Sequence, residues 1–260
     1  MITPGTAELD YGSWLSRWDA QQATYIADRE GRFEVLFDAL EAALGGPPAT
    51  VVDLGCGPGS LGVRLLDRFG AARVIGVDVD PVLLTLGRGA YGDRERLTFV
   101  TADLRDPGWL ERLGVDQVDA ATSSTALHWL GPEAVGRLYA DLARLVRPGG
   151  VFLDADHVRL GPADATAAAV ARRMTDLELA RRPAAAAPAA ESWDEWWRAV
   201  RAEPGLAAQV AARDRLDHGE RHGRHELSDE DHRRVLRDVG FAATDVVWRR
   251  GADRVLAAFR

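Results

Sequence analysis

The sequence predicts an α/β protein built on a seven-stranded sheet, mostly parallel, with helices on both faces and an antiparallel C-terminal hairpin. Three observations predict it. Five short apolar runs between residues 50 and 155 alternate with helical segments, the pattern of a parallel sheet covered on both sides. The first of these runs, Val51-Val52-Asp53-Leu54, passes straight into Gly55, Gly57 and Gly59 ahead of a helix. Near the end, residues 244–249 and 254–259 read as two strands separated by only Arg250-Gly251-Ala252-Asp253, too short for a helical crossover, so they must pair antiparallel.

The elements follow in order. Residues 18 to about 44 carry Ile26, Phe33, Leu36, Phe37, Leu40 and Leu44 at helical spacing, and Gly45-Gly46-Pro47-Pro48 ends that helix. Next come strand 50–54, helix 59–69, strand 73–78, a helix from Pro81 to about 88, and strand 97–100. Asp80 before Pro81 is a helix cap followed by proline at the first helical position. Strand 118–123, helix 132–146, the turn Arg147-Pro148-Gly149-Gly150 and strand 151–155 complete the alternation. A helix near 163–182 then leads into the low-complexity segment Pro183–Ala190, which reads as a flexible connection. Ser192 opens a tryptophan-rich helix, residues 215–227 are polar and histidine-rich, and Ser228 caps a final helix. We divide this single domain into an N-terminal helical lid (1–48), a core (49–160), an inserted helical cover (161–227), and a final helix with the hairpin (228–260).

Composition narrows the chemistry. The formal charge of −8 argues against a protein that grips phosphate backbones, so no nucleic-acid partner is expected. No apolar run is long enough to cross a bilayer and no leader is recognisable, so a cytoplasmic protein without a membrane partner is expected. All 32 basic residues are arginine, which removes Schiff-base chemistry and any lysine base. The single cysteine, Cys56, excludes an intrachain disulfide and a multi-cysteine metal site, and its place inside the glycine turn suits a small packing residue.

Glycine at three closely spaced positions lets backbone approach a ligand, and the first amides of the following helix face it unsatisfied. Asp53 beside that turn suits a ligand with a cationic end better than a pyrophosphate, which points to S-adenosylmethionine more than to a dinucleotide. The motifs as a set resemble the class I S-adenosylmethionine-dependent methyltransferases over nearly all of the chain, from about residue 18 to 260. The resemblance implies a Rossmann-like fold, and S-adenosyl-L-methionine as cofactor with S-adenosyl-L-homocysteine as product. It implies that Asp53, Gly55, Cys56 and Gly57 lie against the methionine half of the cofactor. Asp78, with Val79, resembles the acidic residue that accepts from the ribose hydroxyls, and Asp103, with Leu104, the one that accepts from the adenine amino group. Ser123 ends the strand that approaches the methionine part. Tyr25 and Arg32 resemble the lid of the trans-aconitate methyltransferase type, which implies that Arg32 pairs with the cofactor carboxylate. Ala126-Leu127-His128-Trp129-Leu130 is similar to that group too.

The acceptor is expected to be a small molecule, with O-methylation favoured. No Asn or Asp followed by Pro-Pro and an aromatic marks a nucleobase amine methylase, and the lone cysteine leaves no nucleophile for cytosine C5. His128, just past the fourth strand, is the candidate catalytic residue because an imidazole there can take a proton from a hydroxyl acceptor. His157, Trp14, Trp18, Trp129, Trp193 and Trp197 are candidate acceptor-site residues, although the tryptophans read equally as a packing face. His218, His222 and His225 lie near helical spacing among charges, and no metal site is expected there. Residues 57–62 also satisfy the dinucleotide glycine pattern, so a nicotinamide oxidoreductase stays open. Two further alternatives stay open: a binding protein of the same fold without methyl transfer, and another reaction on the same cofactor. The oligomeric state is not legible.

Overall fold

The computed structural model describes residues 9–26, 28–70, 72–157, 165–181, 191–216 and 227–260. The connection expected at 183–190 and the triplet His218, His222 and His225 lie outside them. Seven strands form one sheet: β1 (Thr50–Leu54), β2 (Arg73–Asp78), β3 (Leu97–Thr101), β4 (Val118–Ser124), β5 (Val146–His157), β6 (Ala243–Arg250) and β7 (Asp253–Phe259). Their order is β3-β2-β1-β4-β5-β7-β6, with β7 antiparallel to both β5 and β6 and every other pair parallel. This is the predicted sheet. The strand order reverses between β1 and β4, the place where open α/β sheets leave a crevice at the carboxyl ends of their strands.

Alternation along the strands assigns the two faces. Val51, Val74, Ala120, Val151 and Val255 turn one way, into a core with Phe33, Leu36, Phe37 and Leu40 of α2 (Arg29–Leu44) and Leu61 and Leu65 of α3 (Ser60–Arg68). Val52, Ile75, Ala121, Phe152 and Leu256 turn the other way, against Val135, Leu138, Tyr139 and Leu142 of α5 (Pro132–Leu145) and Leu236 of α9 (Asp229–Asp238). Burial on both faces explains why these strands read as continuous apolar runs.

The lid differs from the sequence expectation of one helix over 18–44. It is two helices, α1 (Tyr11–Tyr25) and α2, because Asp28 caps α2 by accepting from the Gly31 amide at 3.2 Å. A capping aspartate competes with the helix interior for its own backbone, and here the cap wins. Elsewhere the predicted elements hold to within a few residues, except that β5 starts at Val146 and takes in the expected turn 147–150 as an irregularity in its pairing with β4; α4 (Pro81–Tyr91) has the predicted Asp80 cap, which accepts from Val82 and Leu83.

A third apolar cluster stands outside the sheet. Trp14, Leu15 and Trp18 of α1 pack with Val82, Leu83 and Leu86 of α4 and with Trp196, Trp197 and Val200 of α7 (Trp193–Ala202). Among the described residues, two α-helices sit between the expected helix at 163–182 and the final one: α7, opened by a Ser192–Glu195 capping box, and the unexpected α8 (Ala207–Arg213). The helix near 163–182 is α6 (Ala165–Ala180). Arg213 at the end of α8 donates to Asp80 at 2.6 Å and lies 3.7 Å over the Trp197 ring, which pins α8 to α4 and α7. Among the described residues no helix is long and apolar enough to cross a membrane.

Trp196 has no exposed surface and touches the rings of Trp14, Trp18 and Trp197. Trp196→Ala is expected to cost about 3–5 kcal/mol in a urea titration, the usual loss for an aromatic removed from a core. Trp196→Phe is expected to cost clearly less, because it also removes an indole N–H that has no hydrogen-bond partner among the described residues.

Candidate active site

The crevice begins at the glycine turn. Gly55, Gly57 and Gly59 have φ of 63°, 54° and 92°, in the left-handed region that favours glycine. At Gly55 a side chain is also excluded by space, since a Cβ would lie 2.4 Å from that of Ala126. The turn is tied to β2 by the Cys56 amide on the Val77 carbonyl (3.0 Å) and by the Gly57 amide on Asp78 Oδ2 (2.7 Å). Gly59 caps α3 without a side-chain acceptor, so the helix start relies on backbone and on whatever occupies the turn. Cys56 packs as the sequence suggests: it is buried, burial pushes its thiol well up, and its Sγ fills the space beside Gly76.

Acidic groups stand at successive strand ends. Asp53 is 1% exposed, its Oδ1 lies 3.4 Å from the Thr122 hydroxyl, and its Oδ2 has no partner among the described residues. Burial pushes its pKa up to about 8, against the Thr122 hydrogen bond and with the charge of Asp78 adding to the rise. Asp78 accepts from Gly57 and, at 2.9 Å, from Asp80, and burial still holds its pKa up at about 6. Val79 follows it, half-buried. Asp103 is engaged by Arg105, whose Nη2 donates at 2.6 Å and whose amide donates at 2.8 Å; burial raises its pKa, but these bonds bring it below the usual carboxylate range. Leu104 next to it packs on the core face of the sheet. Ser123 is fully buried and its hydroxyl donates to the Leu54 carbonyl at 3.1 Å, joining β4 to β1.

A fit to the cofactor can be judged from these groups. The buried, unpartnered Asp53 oxygen asks for a cation or a donor, which the ammonium or sulfonium of S-adenosylmethionine supplies and a pyrophosphate does not. Adjacent strands are about 4.8 Å apart, so Asp53, Asp78 and the start of the Asp103 loop span two spacings, about 10 Å, the width of a nucleoside with its substituent. The residues present fit the group.

The lid residues are placed differently from one another. Arg32 is fully buried and already paired: Nη1 donates to Asp253 (2.9 Å) and Nη2 to the hydroxyls of Ser124 (3.0 Å) and Thr125 (2.5 Å), at the ends of β7 and β4. Only its Nε lacks a partner among the described residues. The Tyr25 hydroxyl, half exposed, accepts from the Trp193 amide at 3.1 Å and so links α1 to α7. Asp19, which the sequence did not single out, accepts from Arg29 (2.9 Å), from Ser60 at the start of α3 (2.7 Å) and from Arg64 (3.2 Å). This hub holds the lid on the glycine helix.

The candidate acceptor residues fall into two groups. Trp14, Trp18, Trp193 and Trp197 form one edge-on stack with Trp196, at centroid separations of 5.0–5.8 Å, so the packing reading accounts for most of their surface. Trp18 also reaches the turn: its ring lies 3.8 Å from where a Cβ on Gly57 would be. The second group is His128, Trp129 and His157. His128 and Trp129 sit on the 3₁₀ turn Leu127–Trp129 after β4, with rings 5.2 Å apart and Trp129 64% exposed.

Sequence reasoning missed the buried acids beneath His128. Asp156 of β5 lies 2.9 and 3.0 Å from His128 Nδ1 through its two oxygens and accepts from the His157 amide at 2.8 Å. Asp154, on the same face of β5, pairs with Arg254 of β7 at 2.9 Å, both about 1% exposed, and Arg254 also donates to Asp229. The available signal was the pair Asp154-Ala155-Asp156, alternate carboxylates in an otherwise apolar strand. Among the described residues no group of three histidine, cysteine or acidic side chains could hold a metal ion.

Comparison with known proteins agrees with this geometry. Residues 51–150 match the family described as a methyltransferase domain. The trans-aconitate 2-methyltransferase of Azoarcus sp. strain BH72 is 38% identical over 138 residues, which cover 53% of this chain and 50% of that protein. The enzyme of the same name from Escherichia coli strain K12 is 37% identical over 102 residues, covering 39% of this chain and 36% of the other. The chain therefore spans half or less of the curated relatives it matches. Among solved structures, human N-acetylserotonin methyltransferase in complex with S-adenosylmethionine superposes with a TM-score of 0.55 over 98% of this chain and 59% of the other, at 14% identity, a likeness of fold. Residues 51–150 are thus a methyltransferase domain, and its glycine turn, strand order and acidic strand ends resemble those of the class I S-adenosylmethionine-dependent methyltransferases.

Proposed function

We propose that the protein transfers a methyl group from S-adenosylmethionine to an oxygen of a small-molecule acceptor, and that a carboxylate-bearing acceptor of the trans-aconitate kind is the first to test. The observation that carries the reading is the buried Asp53 carboxyl, whose Oδ2 has no partner among the described residues, beside a glycine turn inside the matched domain. When bound, the cofactor would supply an activated methyl group by in-line displacement, the sulfur–methyl bond breaking as the acceptor oxygen–methyl bond forms and S-adenosylhomocysteine leaving. Asp53 and the turn amides hold the amino-acid end, Asp78 and Val79 the ribose, and Asp103 and Leu104 the base. Tyr25, Arg32, Cys56 and Ser123 complete that pocket in this reading, Arg32 donating toward the cofactor carboxylate from the Nε that has no partner among the described residues.

The chain's own contribution is orientation and exclusion of water, because the methyl donor is already reactive. Trp14 and Trp18 of the lid pack with Trp193 and Trp197 of the helical cover, and Trp18 reaches the turn. His128, with Trp129 and His157, receives the acceptor at the ends of β4 and β5. For a hydroxyl acceptor, the His128 Nε2 takes the proton as the new oxygen–carbon bond forms. A carboxylate acceptor needs no base, and there the protonated ring donates to it from Nε2 instead.

The reading is tested by calorimetry with S-adenosylhomocysteine and NADH, followed by incorporation of labelled methyl into trans-aconitate and a panel of small acids and alcohols. Heat with NADH alone would favour an oxidoreductase, and cofactor binding without incorporation a binding protein. His128→Ala is expected to lower kcat for a hydroxyl acceptor by about 10²-fold or more, the usual contribution of a general base, while the cofactor Kd stays within about twofold.

Asp53 makes the cofactor affinity pH-dependent. A bound cation favours the ionised carboxylate, so binding lowers a pKa that starts at about 8 and releases a proton. S-adenosylmethionine is therefore expected to bind more tightly as pH rises from about 6 to about 8, with little change above, and Asp53→Asn to weaken binding and flatten that slope. In the free protein the sign is opposite. The carboxyl stays protonated in the folded chain while its unfolded counterpart ionises near 3.8, so this group removes stability as pH rises from about 4 to about 8. Thermal shifts with ligand should be larger at pH 8 than at pH 6.

A further inference from the structure

We infer that Asp156 is a positioning residue for His128, whose imidazole it holds with Nδ1 protonated so that Nε2 is the ring nitrogen presented to the acceptor. The inference rests on the role proposed for His128. Both Asp156 oxygens lie within 3.0 Å of Nδ1, and an ionised carboxylate only accepts, so the hydrogen must sit on Nδ1. Nε2 makes no hydrogen bond among the described residues, and about a third of the His128 side chain is exposed (32%), so that nitrogen is reachable.

The acid is fixed where it must be. Asp156 is 2% exposed, stands opposite Arg254 in the β5–β7 register, and is held from behind by the His157 amide. Burial acts to raise its pKa, but the His128 hydrogen bond and the charges of His128, Arg254 and Arg32 lower it to about 2, so it is ionised at any pH where the protein works. Arg254 gives its own hydrogen bonds to Asp154 and Asp229 and acts on Asp156 through its field.

The loop carrying His128 is equally constrained. Thr125 has φ of 57°, a left-handed bend that a β-branched residue rarely adopts. It is held there by its amide on the Ala155 carbonyl (3.0 Å) and by Arg32 on its hydroxyl. Imidazole and carboxylate thus meet because both β5 and the bend after β4 are locked.

The groups acting on the His128 charge come from several elements: Asp156 and Asp154 on β5, Arg32 on α2, and His157 at the end of β5. Burial pulls the His128 pKa down, the Asp156 bond and charge with Asp154 push it up, Arg32 opposes them, and the result lies above 6.5.

The test is NMR of the full ¹⁵N-labelled chain, with the His128 imidazole assigned by its loss in His128→Gln. In the wild type the ring is expected to titrate above the ordinary histidine value and, once neutral, to carry its hydrogen on Nδ1. Asp156→Asn should lower the midpoint and let the two tautomers mix, and Asp156→Glu, which keeps the charge, should restore most of both. A neutral ring protonated on Nε2 in the wild type, or a midpoint and tautomer unmoved in Asp156→Asn, overturns the inference. If Asp156→Asn fails to fold, the wild-type tautomer and Asp156→Glu still decide it. Calorimetry of the wild type with S-adenosylhomocysteine keeps the two readings apart: absence of heat defeats the methyltransferase proposal, whereas the imidazole titration stands or falls independently.

Discussion

The parallel pairing of β1 with both β2 and β4 is the constraint on which the remainder depends. Parallel neighbours need crossovers over the faces of the sheet, so helices cover both sides and the carboxyl ends of five strands share one edge. The reversal of strand order beside β1 opens that edge. Every acidic residue of the candidate cofactor pocket then needs only to stand at a strand end to face the same crevice.

Placing carboxylates there opposes folding, and the protein answers in two ways. Where the partners are internal and reach both oxygens, burial is compensated: Asp156 has His128 and the His157 amide. Where the partner is to come from outside, it is not: Asp53 keeps one oxygen unpartnered among the described residues, and burial leaves its carboxyl neutral over most of the acid range. In the proposed reading, the contrast separates a group that builds the site from one that meets the ligand. An unsatisfied buried acid is costly in a scaffold and useful in a receptor for a cation.

Much of this was legible in the sequence because it depends on local rules. Alternation gave the strands, the Asp80-Pro81 pair gave the start of α4, and the short link at 250–253 gave the antiparallel pair β6–β7. The glycine turn and the acids at strand ends were visible for the same reason: topology converts a position in a strand into a position in the site. What escaped depends on contacts between distant segments. The break at Asp28 is a contest between cap and helix that periodicity alone does not register. The partners of Arg32 are residues 92, 93 and 221 positions away, and its pairing with Asp253 needs the β5–β7 register to be known. Asp156 was hidden because an acid inside an apolar strand announces burial without naming what it faces.

The insertion of β7 between β5 and β6 couples the buried charges to the sheet. Asp253 and Arg254, which balance the buried Arg32 and Asp154, belong to the seventh strand of the sheet in chain order, and the Arg260 backbone bonds Gly149 and Gly150 at the far end of β5. Until that strand is seated, a guanidinium and a carboxylate have no counter-ion in the interior, and the compact state is electrostatically disfavoured. The charge pattern thus ties closure of the crevice to completion of the sheet: the edge that carries the acids keeps its shape only while β7 is seated between β5 and β6.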